Sequence, residues 1–545
     1  MDYKDLANLI FPDAKDISYY EEKYPKRNLK EGAMVVRVAP SPTGNVHIGT
    51  IYQAFLNKKL AKQTDGVFFV RVEDTDQKRE VENGINQIIE TLNKFDLAPD
   101  EGMTSKTESK GAYGPYRQSL RKDIYESYAK YMLAQGKAYP SFESQEELDE
   151  MRKKQETAKV RTGYYGVWAT SRNLSVEEAA EKIKDGVPYI IRFKSPGRED
   201  RKIKHKDVIK GNVEFPENDQ DIVIIKADGL PTYHFAHAID DHLMGTTHVL
   251  RGDEWLSSVP LHLQLFQELG FKPPKYAHTP TLLKNDNGAK RKISKRKDPE
   301  AAATYYEEAG IPSDAVKEYL LNIANSTFEN WRRANPDKSI DEFDFQLNKM
   351  SVSGALFDMV KLLDVSKNVI SKYSAQRVYD ETIAWAKNFD TELTEMLSKD
   401  TEYSLKVLGI ERGNTKPRKD ISKWADVKEN ISYMFNEKFD KNADFEYAKI
   451  SDKCEIDKIK KIYIEKYFDI NDDKQRWFDK MKDLAEEVGY AREVKMFKAE
   501  PEKWPGHVGD ISTVIRVSLT GRQNTPDLYE IMQVLGKETV IDRLS

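Results

Sequence analysis

A chain of 545 residues, 39 % apolar and 32 % charged, is long enough for about three to five domains and apolar enough to bury sizeable cores. No apolar run approaches the ~20 residues that span a bilayer, and a single cysteine, Cys454, excludes an internal disulfide and any cysteine-rich metal centre. The net charge of −5 argues against a uniformly basic nucleic-acid binder, so any nucleic-acid ligand would have to be met by local patches.

Residues 1–32 are polar, with Tyr19, Tyr20 and Tyr24 among charges, and read as an N-terminal extension with no assigned function. Met1-Asp-Tyr-Lys-Asp-Leu6 shows no basic segment leading into an apolar one, so no secretory signal is expected and the chain reads as cytoplasmic. Met34, Val35, Val36 and Val38 then predict a strand. Pro40 and Pro42 stop any ladder or helix, Thr43-Gly44-Asn45 turns the chain, and from Val46 a helix is expected, with Ile48, Ile51, Phe55 and Leu56 at helical spacing. A helix that begins this way points free N–H groups and a positive dipole end above the sheet. His47 and Gly49 fall in its first turn, the imidazole able to donate to a phosphate and the glycine to let a ligand approach the backbone. An ordinary strand–helix turn remains the bland alternative. The stretch is neither a Walker loop nor a G-x-G-x-x-G fingerprint.

A second strand, Val67–Val72, runs into Glu73-Asp74-Thr75-Asp76, carboxylates placed where open α/β sheets bind ligands. Asp74 and Asp76 are equally suited to capping the next helix, whose apolar face is Ile85, Ile88, Ile89, Leu92 and Phe95. Another helix follows Gly114–Ser119, with Leu120, Ile124, Tyr128 and Tyr131 in phase. The sheet is expected to resume at Asp221–Lys226 and again at His248–Gly252, which leads into Asp253-Glu254-Trp255. Asp240-Asp241-His242 contains metal-ligand chemistry, but adjacent side chains point in different directions, so ligation is not expected. Two basic runs, Arg198–Lys210 and Lys284–Lys297, are candidate RNA contacts or solvated loops. Lys292-Ile-Ser-Lys-Arg296 follows the glycine-containing loop Asn285–Gly288. Beyond about residue 305 the pattern is helical, with Leu356, Val360, Leu363 and Val369 in phase and Lys416–Lys419 as a surface loop.

Arg37-Val-Ala-Pro-Ser-Pro-Thr-Gly44 followed by His47-Ile-Gly-Thr50 resembles the first signature of class I aminoacyl-tRNA synthetases, in the form seen in bacterial-type glutamyl-tRNA synthetases. Lys292–Arg296 resembles their second signature. The resemblance covers roughly 33–545, dense to about 300 and sparse beyond. It implies a multidomain α/β plus α architecture: a Rossmann-type parallel sheet in two halves (33–114 and 216–270), an inserted tRNA acceptor-binding domain (115–215), a stem-contact region with the Lys292–Arg296 loop (271–344) and a mostly helical anticodon-binding region (345–545).

The implied activity is ATP-dependent activation of L-glutamate to glutamyl-adenylate and transfer to the 3′ end of tRNA-Glu, with tRNA-Gln left open as a second acceptor. His47 and Lys295 take the catalytic positions. Arg37, Ala39, Ser41, Glu73, Tyr233, His237, Arg251 and Trp255 take those that hold glutamate, Glu73 receiving its ammonium group. Thr43, Gly44, His47, Gly49, Glu254, Lys292, Ser294 and Lys295 take those that hold ATP, which enters as its Mg²⁺ complex. His237 departs from the family, which commonly has Asn there, and is expected to be a neutral donor in the pocket wall. Some relatives carry a cysteine zinc knuckle in the insertion. Tyr139-Pro-Ser-Phe142 has none, so no zinc is expected, and no other protein-held metal. A monomer without membrane contact is the expected state. Three other readings compete: a glutaminyl-tRNA synthetase, a truncated paralogue that modifies a tRNA base, and a catalytically dead tRNA-binding protein. The carboxylate segment, the chain length, and the intact His47, Glu73, Arg251 and Lys295 respectively argue against them.

Overall fold

Val35–Val38 forms the first strand, β1, buried along its whole length, as befits a parallel strand covered on both faces. The computed structural model describes every residue except Lys416, so the expected Lys416–Lys419 loop lies partly outside the described residues. After the Pro40–Asn45 turn comes α1, Ile48–Gln63, which buries Ile48, Ile51, Tyr52, Phe55, Leu56 and Leu60 around most of its circumference, the mark of a helix enclosed by the core. β2, Val67–Val70, pairs parallel with β1, Val35 lying opposite Val67. β3, Glu101–Met103, pairs parallel with β2. Helix α2, Tyr233–Leu243, leads to β4, His248–Gly252, and helix α3, Val259–Leu269, to β5, Lys275–Thr279. β4 and β5 are parallel, with Leu250 opposite Ala277. Thr247 joins the two ladders: its N–H donates to Val35 O and its Oγ1 accepts from Val35 N, both at 2.9 Å. The order is thus β5-β4-β1-β2-β3, and the winding direction reverses between β1 and β4. A crevice opens at their carboxyl ends, where such sheets bind ligands.

The strand expected to resume this sheet at Asp221–Lys226 does not. Val223–Ile225 pairs antiparallel with Ile190–Phe193, which pairs antiparallel with Ala138–Ser141. A short apolar run fits either sheet, and its partner is chosen by long-range packing of Ile191 and Ile225, both buried. The basic run Arg198–Lys210 lies largely on a hairpin, Lys202–Asp207 with Gly211–Pro216. Arg198, Arg201, Lys202 and Lys210 are paired with Asp200, Glu217, Glu214 and Asp253, and Lys202, Lys204 and Lys206 are the exposed lysines of the strand Lys202–Asp207. The N-terminal extension is built into the domain: Leu6, Ile10, Tyr20 and Tyr24 join the main core, and Arg27 forks onto Glu101 at 2.7 and 2.8 Å.

Beside the Tyr139–Phe142 segment, Glu143 gathers donors. It accepts from Ser141 Oγ at 2.6 Å, Tyr164 OH at 2.7 Å, Ser171 Oγ at 2.7 Å and N at 3.0 Å, and from Thr170. Burial pushes its carboxyl up, but these donors outweigh burial and hold it at about 2. Glu143→Ala strands them, and should cost about 2–3 kcal/mol in urea unfolding. Because the native pKa is depressed, this stabilisation is present above the ordinary carboxylate range near pH 4 and disappears as pH falls toward 2. An unchanged unfolding midpoint at pH 7 would sink the idea.

Compact unit 1 comprises Met1–Tyr305 with Lys317–Asp358, and unit 2 comprises Tyr306–Val316 with Met359–Ser545. Unit 2 is helical. Its helix Met359–Ile370 buries Leu362, Val365, Val369 and Ile370, whereas Val360 is 78 % exposed and Leu356 sits in a short strand of unit 1. The apolar face is thus rotated from the expected one. Trp424 and Trp477 are core residues. Among the described residues no helix is long and apolar enough to cross a membrane.

Candidate active site

The crevice at the carboxyl ends of β1 and β4 is a cleft of about 340 Å³. It gathers Arg37, Ala39, His47, Gly49, Glu73, Tyr233, Arg251, Glu254, Trp255 and Lys292, residues far apart in the sequence.

α1 begins one residue after His47, which is its N-cap and not part of its first turn. Nδ1 accepts the Gly49 N–H at 2.9 Å, so the neutral ring carries its hydrogen on Nε2 and presents a donor. A Cβ at residue 49 would lie 3.0 Å from that Nδ1, so glycine makes room for the cap itself. Burial, then the Lys295 charge, lowers the His47 pKa and keeps it neutral.

On the opposite side Arg37 Nη2 donates to Asp241 Oδ2 at 3.1 Å, and Arg71 Nη1 to Asp241 Oδ1 at 2.8 Å. Arg71 Nη2 reaches Glu73 Oε1 at 3.1 Å. Arg71, fully buried, therefore ties together the two residues that flank the cleft. Burial drives the Glu73 carboxyl up to about 7, against the pull of Arg71 and Arg37. Tyr233 packs on Trp255 with ring centroids 4.5 Å apart. Arg251 donates to Trp255 O at 3.3 Å and to two imidazoles, His262 and His278.

His237 lies one layer behind the wall, not in it. Its ring stacks behind Tyr233, with Nδ1 2.8 Å from Asp241 Oδ2 and Nε2 2.9 Å from Tyr276 OH. Burial lowers its pKa to about 4, so it is neutral, donating to Asp241 and accepting from Tyr276. The neighbours Asp240, Asp241 and His242 pair within the protein: Asp240 with Arg121 at 2.7 Å and Arg71 at 3.6 Å, Asp241 with Arg37 and Arg71, and His242 with Glu21 at 2.9 Å. Asp74 caps no helix either; it accepts from Ser119 N at 2.8 Å and Oγ at 2.6 Å and pairs with Arg117. Asp76 stands at the N-cap of Gln77–Arg79 without a side-chain cap bond.

Ser41, Thr43 and Gly44 lie on the turn before α1, outside the cleft lining, Gly44 with a φ of +114° that requires glycine. The Asn285–Gly288 loop is a tight hairpin. β6, Leu282–Asp286, and β7, Ala289–Lys292, are joined by Asn287 and Gly288 at φ +52° and +87°, the two-residue turn that Asn-Gly favours. Beyond it Asp298 organises the loop. Arg291 forks onto it at 2.6 and 2.8 Å, and Ser294 N–H reaches it at 2.9 Å. Lys284 pairs with Asp298 at 3.3 Å and with Glu300. Two of the basic residues in this run are therefore structural. Lys295 Nζ bonds the Asn45 carbonyl in the turn before α1, and Lys292 Nζ lies 3.6 Å from Glu254. Arg71, His262, His278 and Asp298 were not legible as site residues: the two histidines and Asp298 stand in apolar or basic stretches, and Arg71 reads as part of a charged strand end.

Residues 33–364 match the catalytic domain of class I tRNA synthetases (E and Q), and residues 415–545 an anticodon-binding domain. The chain is 52 % identical over 547 residues to the glutamate–tRNA ligase of Clostridium perfringens strain 13, covering 100 % of both chains. It is 49 % identical to that of Clostridium beijerinckii, covering 100 % of this chain and 99 % of the relative. A solved glutamate tRNA ligase from Elizabethkingia meningosepticum, in complex with its amino acid, superposes with a TM-score of 0.72 at 28 % identity, covering 94 % of this chain and 98 % of that one.

Proposed function

This chain belongs to the class I tRNA synthetases of the glutamate and glutamine group and acts as a glutamate–tRNA ligase that uses ATP, and we propose that the β1–β4 cleft is where both of its chemical steps occur. One observation carries the reading: a carboxylate, Glu73, and two guanidiniums, Arg37 and Arg251, line the same small cleft as the N-terminus of α1. Glutamate offers one ammonium and two carboxylates, and planar guanidiniums bind carboxylates bidentately. Glu73 receives the ammonium. Tyr233, Trp255 and the Ala39 backbone shape the pocket, with Ser41 and His237 supporting it from beyond the lining.

The α-carboxylate oxygen attacks the α-phosphorus of ATP, the bond to the β-phosphate oxygen breaks, and pyrophosphate leaves. A ribose hydroxyl at the tRNA 3′ end then attacks the mixed anhydride, and AMP leaves. Catalysis here is positioning and charge stabilisation. His47 Nε2–H and the α1 N-terminus face the triphosphate, the Thr43–Gly44 turn and Gly49 let it approach, and Lys292, Ser294 and Lys295 close over it. ATP enters as its Mg²⁺ complex, and Glu254 holds Lys292 in place. The segments 115–215 and 345–545 take the acceptor end and the anticodon. The Tyr139–Phe142 segment carries no cysteine, and the hydroxyl network around Glu143 beside it supports a zinc-free insertion. The enzyme works as a cytoplasmic monomer on tRNA-Glu, with tRNA-Gln as a second acceptor to be tested in the same assay.

The test is charging of tRNA-Glu across pH, with an amino-acid panel. A Glu73 carboxyl titrating at about 7 is protonated, and unable to balance the ammonium, below that pH. The kcat/KM for glutamate should therefore rise about fivefold from pH 6 to 7 and about twofold more above it before levelling off, and Glu73→Gln should flatten the profile at a low value. Failure to charge glutamate, or a profile untouched by Glu73→Gln, would overturn the assignment.

A further inference from the structure

The two cleft arginines are held in different ways. Arg37 is gripped by a carboxylate, Asp241, through Nε and Nη2 at 3.1–3.3 Å. Arg251 donates from Nε to His278 Nε2 at 3.0 Å and from Nη1 to His262 Nδ1 at 3.1 Å, with the Trp255 carbonyl at 3.3 Å and the Tyr233 hydroxyl at 3.5 Å. None of these partners is a carboxylate.

A guanidinium is donor-only, so each imidazole nitrogen facing it must be unprotonated. The ring hydrogens then sit on the far nitrogens, and each finds an acceptor. His278 Nδ1–H donates to Asp207 Oδ2 at 2.6 Å, and His262 Nε2–H to His234 Nδ1 at 2.8 Å. Both rings have no solvent exposure, and burial is the main cause that holds them neutral, His262 well below its ordinary value and His278 below it. His262 comes from α3 and His278 from β5, so two elements fix one guanidinium plane.

We propose that His262 and His278 are positioning residues that orient Arg251 through neutral acceptors and so leave its charge free for the substrate's side-chain carboxylate, which sets the choice of glutamate over glutamine. This rests on the reading of the cleft as the glutamate site. A carboxylate at either position would orient the guanidinium equally well, but in a low-dielectric site it would offset the charge that the substrate has to find. An imidazole supplies geometry without that offset. Asp207, a full ring away behind His278, anchors the tautomer from a distance.

Position 262 separates the two effects, because Asn and Asp have the same shape and differ in charge. Both place an oxygen where Nδ1 now accepts from Arg251, whereas Leu places none. Full-length His262→Leu, His262→Asn and His262→Asp are compared with the natural enzyme in charging of tRNA-Glu, reading KM for glutamate, KM for ATP and the glutamate-to-glutamine ratio of kcat/KM. His262→Leu should raise the glutamate KM about tenfold or more, and His262→Asn should recover most of that loss. His262→Asp should raise the glutamate KM about tenfold over His262→Asn and lower the glutamate-to-glutamine ratio, with the ATP KM unmoved. Equal glutamate KM and selectivity in the Asn and Asp variants overturns the proposal, as does an ATP KM that rises in step with that for glutamate. If His262→Leu does not fold, the Asn–Asp pair still decides. A natural enzyme that fails to charge glutamate refutes the functional reading itself, a different result from variants that charge glutamate with unaltered selectivity.

Discussion

Lys295→Ala should slow formation of glutamyl-adenylate about 10²–10³-fold while leaving KM for glutamate close to its starting value. Lys295 gives its ammonium to the Asn45 carbonyl, in the turn that precedes α1. That contact places the Lys295 ammonium beside the same helix N-terminus that His47 caps. A triphosphate arriving there offers a stronger acceptor than a neutral carbonyl, and a compact ammonium on a flexible stem transfers to it readily. Negative charge shifts toward the departing pyrophosphate as the bond to the α-phosphorus breaks, so the cation is worth most in the transition state and little to bound glutamate. The loop keeps its shape in the variant, because Asp298, Arg291 and the Ser294 N–H hold it, not Lys295. Pre-steady-state pyrophosphate release reads the step directly. A variant that keeps its rate and loses glutamate affinity would move Lys295 out of the catalytic role.

The parts of this site that were legible in the sequence are those fixed by local chemistry. Val35–Val38, the two prolines and Gly44 specify strand, stop and turn from within a few residues, and α1 follows within two residues of where the pattern placed it. The four residues His47–Thr50 alone would have been a poor guide. His507-Val-Gly509 in unit 2 builds the same cap, its Nδ1 accepting the Gly509 N–H at 3.0 Å, and there Asp510 completes an ordinary capping box. What distinguishes His47 is the eight residues before it and the carboxylates after β2. The rest depended on packing. Val223–Ile225 is an apolar run with no marker of which sheet it joins. His262 and His278 are lone imidazoles in apolar segments, indistinguishable in sequence from satisfied core histidines. Arg71 looks like part of a charged strand end, and only its burial shows that it links Glu73 to the Asp241 that grips Arg37. Long-range charge pairing leaves no periodic trace, so these residues could be found only once the chain was folded.

Arg251→Gln should remove selection of glutamate over glutamine and lower kcat/KM for glutamate about 10³-fold, or roughly 4 kcal/mol. Two arginines line the cleft, and the difference between their partners decides which one carries selection. Arg37 is gripped by the Asp241 carboxylate, so part of its charge is answered inside the protein, although Arg71 shares that carboxylate. The partners of Arg251 are imidazoles, a carbonyl and a hydroxyl. A glutamate carboxylate meeting Arg251 gains a charge-assisted pair in a site sheltered by Tyr233 and Trp255; glutamine there leaves a buried cation without its counter-ion, a large penalty. Replacing the guanidinium with a neutral amide erases that difference, so glutamate and glutamine should be activated at comparable, low rates. Arg251→Lys keeps the charge but loses the planar fork that His262 and His278 orient, and should recover only part of the loss. Competition between the two amino acids in tRNA-Glu charging measures the ratio directly. If Arg251→Gln keeps the natural preference while Arg37→Gln abolishes it, the charge that reads the substrate belongs to Arg37, and the neutral imidazole shell around Arg251 serves packing alone.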